Sequence, residues 1–225
     1  GARRSSRVVL VQETDHWSRL RRSSVKLYGS ITSPFVRRVR VLCHQLGQSF
    51  EMVDSLTEEG QNAMRDKNPI WKVPCVEIDD LVIWDSHTII DYLTEKYKGN
   101  PKLLRSPDGN EYWRERNLVT AADGCVESAI NVFYLKKDGV AVLDVAYLKK
   151  QMARVESILT WLKSQLYGHY FTVEEHIGMS ELTLYCILDW LRFREMYPVN
   201  EDPVLKGFLE HHNSNPGFVA TKLPG

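Results

Sequence analysis

A chain of 225 residues, 43% hydrophobic and 26% charged, has the length of one large domain or two small ones and an ordinary globular composition. Its formal net charge of zero excludes the basic balance of a nucleic-acid binder, and no continuous apolar run approaches the ~20 residues of a membrane span. Cys43, Cys75, Cys125 and Cys186 lie far apart without CxxC or zinc spacing, so they read as small core residues in a reducing, cytoplasmic setting.

The first 24 residues stand apart from the rest. They hold six arginines against Glu13 and Asp15, a local net charge of +4, and their only apolar run is "VVLV". That run is shorter than the ~7 residues of a signal-peptide core. Residues 1–24 are therefore expected to be a disordered or non-native leader outside the fold. Without them the chain is mildly acidic, with 23 basic against 27 acidic residues.

From Val25 the pattern alternates. "VKLYGS" reads as a strand and Pro34–Leu46 as a helix, with Ser33 as N-cap, Pro34 in the first turn and Gly47 as C′. Its apolar stripe is Phe35, Val39, Leu42 and Leu46. Its first turn also carries Arg37 and Arg38, where positive charge is mildly unfavourable. Either these side chains are solvated or the helix end faces an anion; solvation is the expectation for both. "QSFEMVDS" reads as a second strand and "EEGQNAMRDK" as a short helix. "VPCVEI" and "LVIW" form a hairpin around Asp79-Asp80, and "SHTIIDYLTEKY" is a helix. The order βαβαββα over residues 25–98 predicts a small mixed sheet covered by helices.

"KGNPKLLRSPDGN" (98–110) then breaks all periodicity and reads as the linker. Beyond it Tyr112–Lys137, Asp144–Leu166, Ser180–Arg194 and Val204–His212 read as helices, so residues 111–225 are expected to form an all-helical domain.

Three stretches of the first domain carry chemistry: "TSPF", "NPIWKVP" and "WDSHTII". Proline belongs at a strand start, so Val73-Pro74 opens the third strand, and the backbone there suits an extended peptide added as a further strand. Ser86, read as the N-cap of its helix, offers a carboxylate site, and Asp85 beside it accepts an ammonium. Ser33 at the other helix N-terminus donates to a second anion. Alone, each of these is an ordinary cap or strand start.

Together, and in this order with "IIxYL" following, they resemble the glutathione S-transferase superfamily, from Val25 to about Gly225. "AADGCVESA", "LDWLRFR" and "DPVLKGFLEHHNSNPGF" are similar to its later helical segments. The resemblance implies a thioredoxin-like N-terminal domain, an all-helical C-terminal domain, a homodimer and glutathione as co-substrate, with no other cofactor. By position, Ser33 matches the serine that stabilises the glutathione thiolate. Val73 matches the residue whose backbone pairs with the cysteinyl unit before a cis-proline, Pro74. Asp85 and Ser86 match the γ-glutamyl site, and Lys72 lies among the glutathione-binding residues. Asp123 matches a residue that some members send into the neighbouring subunit. Phe35, Trp71 and apolar residues of the helix beyond the linker are expected to line the site of a hydrophobic electrophile. The chain departs from the family in Trp71, where "NPxGKVP" has glycine, in Asp85 for glutamate, and in "GMSE" (178–181), a weaker form of the family's capping box. No residue clearly matches the usual basic contact to the glycyl carboxylate; Arg37, Arg38 and Lys72 are the candidates.

The energetics suffice. Lowering a thiol pKa by ~2 units requires ~2.7 kcal/mol of preference for thiolate. A hydrogen bond to a charged group contributes ~1.5–3 kcal/mol and a helix N-terminus ~0.3–1. Other chemistries fit poorly. There is no G-x-S-x-G for an acyl nucleophile, no HExxH-type metal spacing, and no cysteine at position 33 for disulfide exchange. The expected function is conjugation of glutathione to an electrophile; the alternative is a non-catalytic, stress-associated binding module of the same fold. Neither nucleic acid nor membrane is an expected partner.

Overall fold

The computed structural model describes residues 24–224, so the expected leader lies outside the described residues apart from Ser24. They fall into two compact units. One runs to Leu103 and takes in Pro216–Pro224; the other is Leu104–Asn215.

In the first unit, strand β1 (Val25–Gly29) leads to helix α1 (Pro34–Leu46), β2 (Glu51–Asp54), α2 (Glu58–Lys67), β3 (Cys75–Ile78), β4 (Leu81–Trp84) and α3 (Ser86–Lys96). The sheet order is β2-β1-β3-β4, with β1 parallel to β2 and antiparallel to β3. This is the small mixed sheet that the βαβαββα order predicts and the thioredoxin-like arrangement that the resemblance implies. Ser33 caps α1 by accepting from the Val36 N–H at 3.3 Å, and Gly47 ends it at φ 71°, in the left-handed region glycine enters without penalty. Thr57 caps α2, whose first turn carries Glu58 and Glu59 and whose last carries Arg65 and Lys67, each sign matched to its helix end. At Gly29 a Cβ would lie 2.4 Å from Val36, so the glycine lets the first turn of α1 sit directly on the end of β1.

Helix α1 is buried on more than its expected stripe. Val36, Val39, Val41, Leu42, Cys43 and Leu46 are all buried, while Phe35 is only half-buried. The reason is that α1 packs against both α3 and a last short helix, Pro216–Ala220, which lies beyond the helices read from periodicity. Phe218 is buried there, and the segment belongs with the first unit although it follows the helical region in sequence.

In the second unit, α4 (Gly109–Lys137) packs against α5 (Ala146–Ser164) and α6 (Met179–Phe193), and α7 (Pro203–His212) packs against α6. By length and composition α4 passes for a membrane-crossing helix. Its Leu118, Val119, Ala122, Cys125, Val126, Ala129 and Val132 are instead buried in the unit's core. From Ser180 to Leu191 every residue of α6 is buried, the pattern of a central helix.

The cap of α6 differs from a simple weakening of the serine box. Gly178 has no side chain to contribute, so only the reciprocal half exists: Glu181 accepts from the Gly178 N–H at 2.8 Å, and also from the Phe171 N–H at 2.8 Å. The missing acceptor comes from Glu115, whose Oε1 accepts from the Ser180 N–H at 3.5 Å, and the carboxylates are held by Arg105, at the end of the linker. Its guanidinium meets Glu115 at 2.6 Å and Glu181 at 3.0 Å and donates to Ser180 Oγ, with all three charged side chains nearly removed from solvent. The two carboxylates hold the Arg105 pKa above its ordinary value against the opposing effect of burial. One cation therefore serves two buried anions. Arg105→Met should destabilise this unit by ~3–5 kcal/mol, because it leaves both carboxylates uncompensated. Glu115→Gln, which keeps the Arg105–Glu181 pair, should have a clearly smaller effect; chemical denaturation of the two variants checks the ranking.

Candidate functional site

The register of the sheet decides where the three chemistry-bearing stretches meet. Cys75, the first residue of β3, pairs with Tyr28 of β1 on one side and with Trp84 of β4 on the other. The loop after β1 holding Ser33, the Val73-Pro74 step before β3, and Asp85-Ser86 after β4 therefore emerge at one end of the sheet. The Val73-Pro74 peptide bond is cis, as the resemblance implies.

Ser33 is half-buried. Its Oγ accepts the cap hydrogen bond, which leaves its proton to be donated outward. Behind it, Ser30 and Thr32 share a hydroxyl–hydroxyl hydrogen bond of 2.9 Å.

At the second helix N-terminus the roles of the two side chains are exchanged relative to expectation. Asp85, not Ser86, is the N-cap: its Oδ1 accepts from the N–H groups of His87 at 2.9 Å and Thr88 at 3.2 Å. Adjacent Asp and Ser are both good caps, so composition alone does not choose between them. Asp85 holds φ 72° and ψ 128°, a conformation glycine adopts far more readily, of the kind that costs ~1–3 kcal/mol and clusters at ligand-binding positions. It remains exposed. Ser86 is the first helical residue and is 2% exposed, with its Oγ turned inward to accept from Arg38 Nε at 3.0 Å.

Arg37 and Arg38 are not solvated. They are 1% and 2% exposed, among the largest fully buried side chains of the chain. Arg37 Nε donates to Thr221 Oγ1 at 3.3 Å, tying α1 to the C-terminal segment, and Arg38 ties α1 to α3. Periodicity could not show this because both partners are distant in sequence.

The loop before Pro74 is held by the residue that follows α2. Asn68, fully buried, donates through Nδ2 to the Lys72 carbonyl at 2.6 Å and accepts through Oδ1 from the Ile70 N–H at 3.1 Å. The Asn-Pro dipeptide, a turn signal, was the available clue. Trp71 sits in this loop at φ 53°, which explains why a glycine suits the position. Its indole is 62% exposed and lies 4.5 Å from the Arg65 guanidinium in a cation–π contact. The Lys72 side chain is exposed, Val73 half-buried and Pro74 buried. Phe35 lies with its ring centroid 5.1 Å from the Arg38 guanidinium. Asp123 is half-buried on α4, in the other unit.

Protein thiols offer no rival nucleophile at this end of the sheet. Burial pushes the Cys43 thiol up to about 12 and the Cys75 thiol up to about 11, the latter helped by Glu77. Among the described residues no cluster of His, Cys, Asp and Glu is grouped to hold a metal ion.

Residues 27–101 match the sequence profile of the glutathione S-transferase N-terminal domain. A probable maleylacetoacetate isomerase of Caenorhabditis elegans is 31% identical over 147 residues, covering 65% of this chain and 68% of that protein. The chain belongs to the glutathione S-transferase superfamily. YibF of Escherichia coli K12, an uncharacterized GST-like protein, is 26% identical over 89% of this chain and 99% of its own length. A glutathione transferase family member from Pseudomonas fluorescens Pf-5, crystallised with bound glutathione, superposes with a TM-score of 0.72 at 26% identity, covering 89% of this chain and all of that one.

Asn68→Ala removes two hydrogen bonds from a buried position and should lower stability by ~1–3 kcal/mol. The shift in the unfolding midpoint measures it. An unchanged midpoint would mean that the loop before Pro74 is held by other contacts.

Proposed function

We propose that the protein is a glutathione transferase that activates the glutathione thiol at Ser33 for attack on a hydrophobic electrophile. The observation that carries this reading is the convergence of Ser33, Val73-Pro74 and Asp85-Ser86 at one end of a thioredoxin-like sheet. In this reading the peptide backbone of glutathione pairs with Val73. Its γ-glutamyl carboxylate meets the Ser86 end of α3, and its ammonium meets Asp85, whose cap bonds both fall on Oδ1. Lys72, with an exposed ammonium beside the clamp, serves the glycyl carboxylate. Ser33 donates its hydroxyl proton in a hydrogen bond to sulfur and stays protonated. The thiol proton leaves to solvent, the thiolate forms the new C–S bond, and the electrophile's leaving group departs with the electron pair. Phe35 and Trp71 supply apolar surface for the electrophile.

The same reading includes a homodimer to which Asp123 contributes across subunits, in a reducing cytoplasm where the four buried cysteines remain free. Light scattering at micromolar concentration should report twice the chain mass; a monomer would remove the cross-subunit role of Asp123.

Ser33→Ala tests the chemistry. A hydrogen bond to a charged sulfur contributes ~1.5–3 kcal/mol, so conjugation of an aryl halide near pH 7 should fall ~10–100-fold while glutathione affinity changes little. Raising the pH should recover much of the loss, because solvent then ionises the thiol that the serine no longer assists. Activity equal to wild type from pH 6 to 9 would reduce Ser33 to a helix cap. Glutathione binding without turnover in the wild type would favour the binding-module reading.

A further inference from the structure

Arg38 touches two of the residues assigned above but has no role in that assignment. A guanidinium has donors only, so the 3.0 Å contact from Arg38 Nε fixes Ser86 Oγ as the acceptor. The serine's own proton must then be donated elsewhere. At the first position of α3 the Ser86 N–H also lies outside the helix ladder, while Asp85 takes those of His87 and Thr88. Ser86 can thus present two donors to one anion, provided that its hydroxyl keeps this polarity. A buried serine without such a partner is free to rotate its proton inward. The same guanidinium faces the Phe35 ring at 5.1 Å, which anchors it to the first turn of α1.

We propose that Arg38 is a positioning residue for the carboxylate of the ligand: it orients the Ser86 hydroxyl as an outward donor and supplies a buried positive charge behind it, without itself touching the ligand. The inference rests on the reading that Ser86 meets the γ-glutamyl carboxylate. It also gives the unusual pair of arginines in α1 separate tasks, Arg37 toward Thr221 and Arg38 toward the anion.

A double-mutant cycle on glutathione affinity, measured by calorimetry, tests it. Ser86→Ala should weaken binding ~10-fold, the scale of one hydrogen bond to a charged group. Arg38→Met should weaken it ~10-fold or more in the wild-type background, yet only by the smaller effect of the lost charge when Ser86 is already alanine. Arg38→Lys, which keeps charge and a donor, should fall between wild type and Arg38→Met. Cysteinylglycine, which lacks the γ-glutamyl carboxylate, should show no dependence on residue 38. Should Arg38→Met fail to fold, the cycle with Arg38→Lys decides by the same criterion: a loss of ~3-fold that disappears in the Ser86→Ala background. Equal losses in both backgrounds would make Arg38 a structural brace and overturn the inference while leaving the γ-glutamyl reading intact. No effect of Ser86→Ala on affinity would overturn that reading, and the inference with it.

Discussion

The pairing of Cys75 with Tyr28 on one flank and Trp84 on the other is the constraint on which the candidate site depends. Because side chains alternate along a strand, a slip of one residue at either pairing would turn every β3 side chain to the opposite face. It would also offset the loop after β1 or the cap of α3 from the start of β3. The β3–β4 hairpin pins one side of the register through the short Asp79-Asp80 turn, both residues holding positive φ. On the other side the antiparallel pairing of β1 with β3 runs from Val25–Ile78 to Tyr28–Cys75. Convergence of the three loops is thus a consequence of strand pairing, not of local loop chemistry.

Around this frame, buried cations act as long-range ties. Arg37 and Arg38, adjacent in sequence, leave α1 in different directions and reach partners 184 and 48 residues away. Arg105 does the same in the second unit, linking the end of the linker to α4 and to the N-terminus of α6. A guanidinium suits this task because its charge does not titrate and its donors fan out in a plane. Arg37 and Arg38 end on hydroxyls, and Arg105 on two carboxylates and a hydroxyl. At α3 the charge lies close to where the backbone already presents donors, which makes the environment favourable to an anion.

Positive φ at non-glycine residues occurs at this end of the sheet as well as in the Asp79-Asp80 turn. Trp71 and Asp85 both hold positive φ without being glycine, and they flank the two arms of the site. At Trp71 the cation–π contact with Arg65 offsets part of the strain. At Asp85 the two hydrogen bonds to the α3 N-terminus do so.

Local rules made much of the chain legible in advance. Ser33, Pro34 and Gly47 mark the ends of α1 because capping acts within four residues. The Asp79-Asp80 turn announces its hairpin, and the motif order through Val73-Pro74 and Asp85-Ser86 carries the family. These features depend on near neighbours, so the sequence by itself determined them. Tertiary structure alone decided which of Asp85 and Ser86 caps α3, since both are competent and Ser86 Oγ is engaged by the distant Arg38. It also decided that Arg37 and Arg38 are buried, that Asn68 holds the Lys72 carbonyl, and that Phe218 and Thr221 join the first unit across more than a hundred intervening residues. Each of these outcomes is set by a partner far away in the chain, and periodicity, capping and turn chemistry are blind to such partners because their physical range is a single helical turn or strand pair.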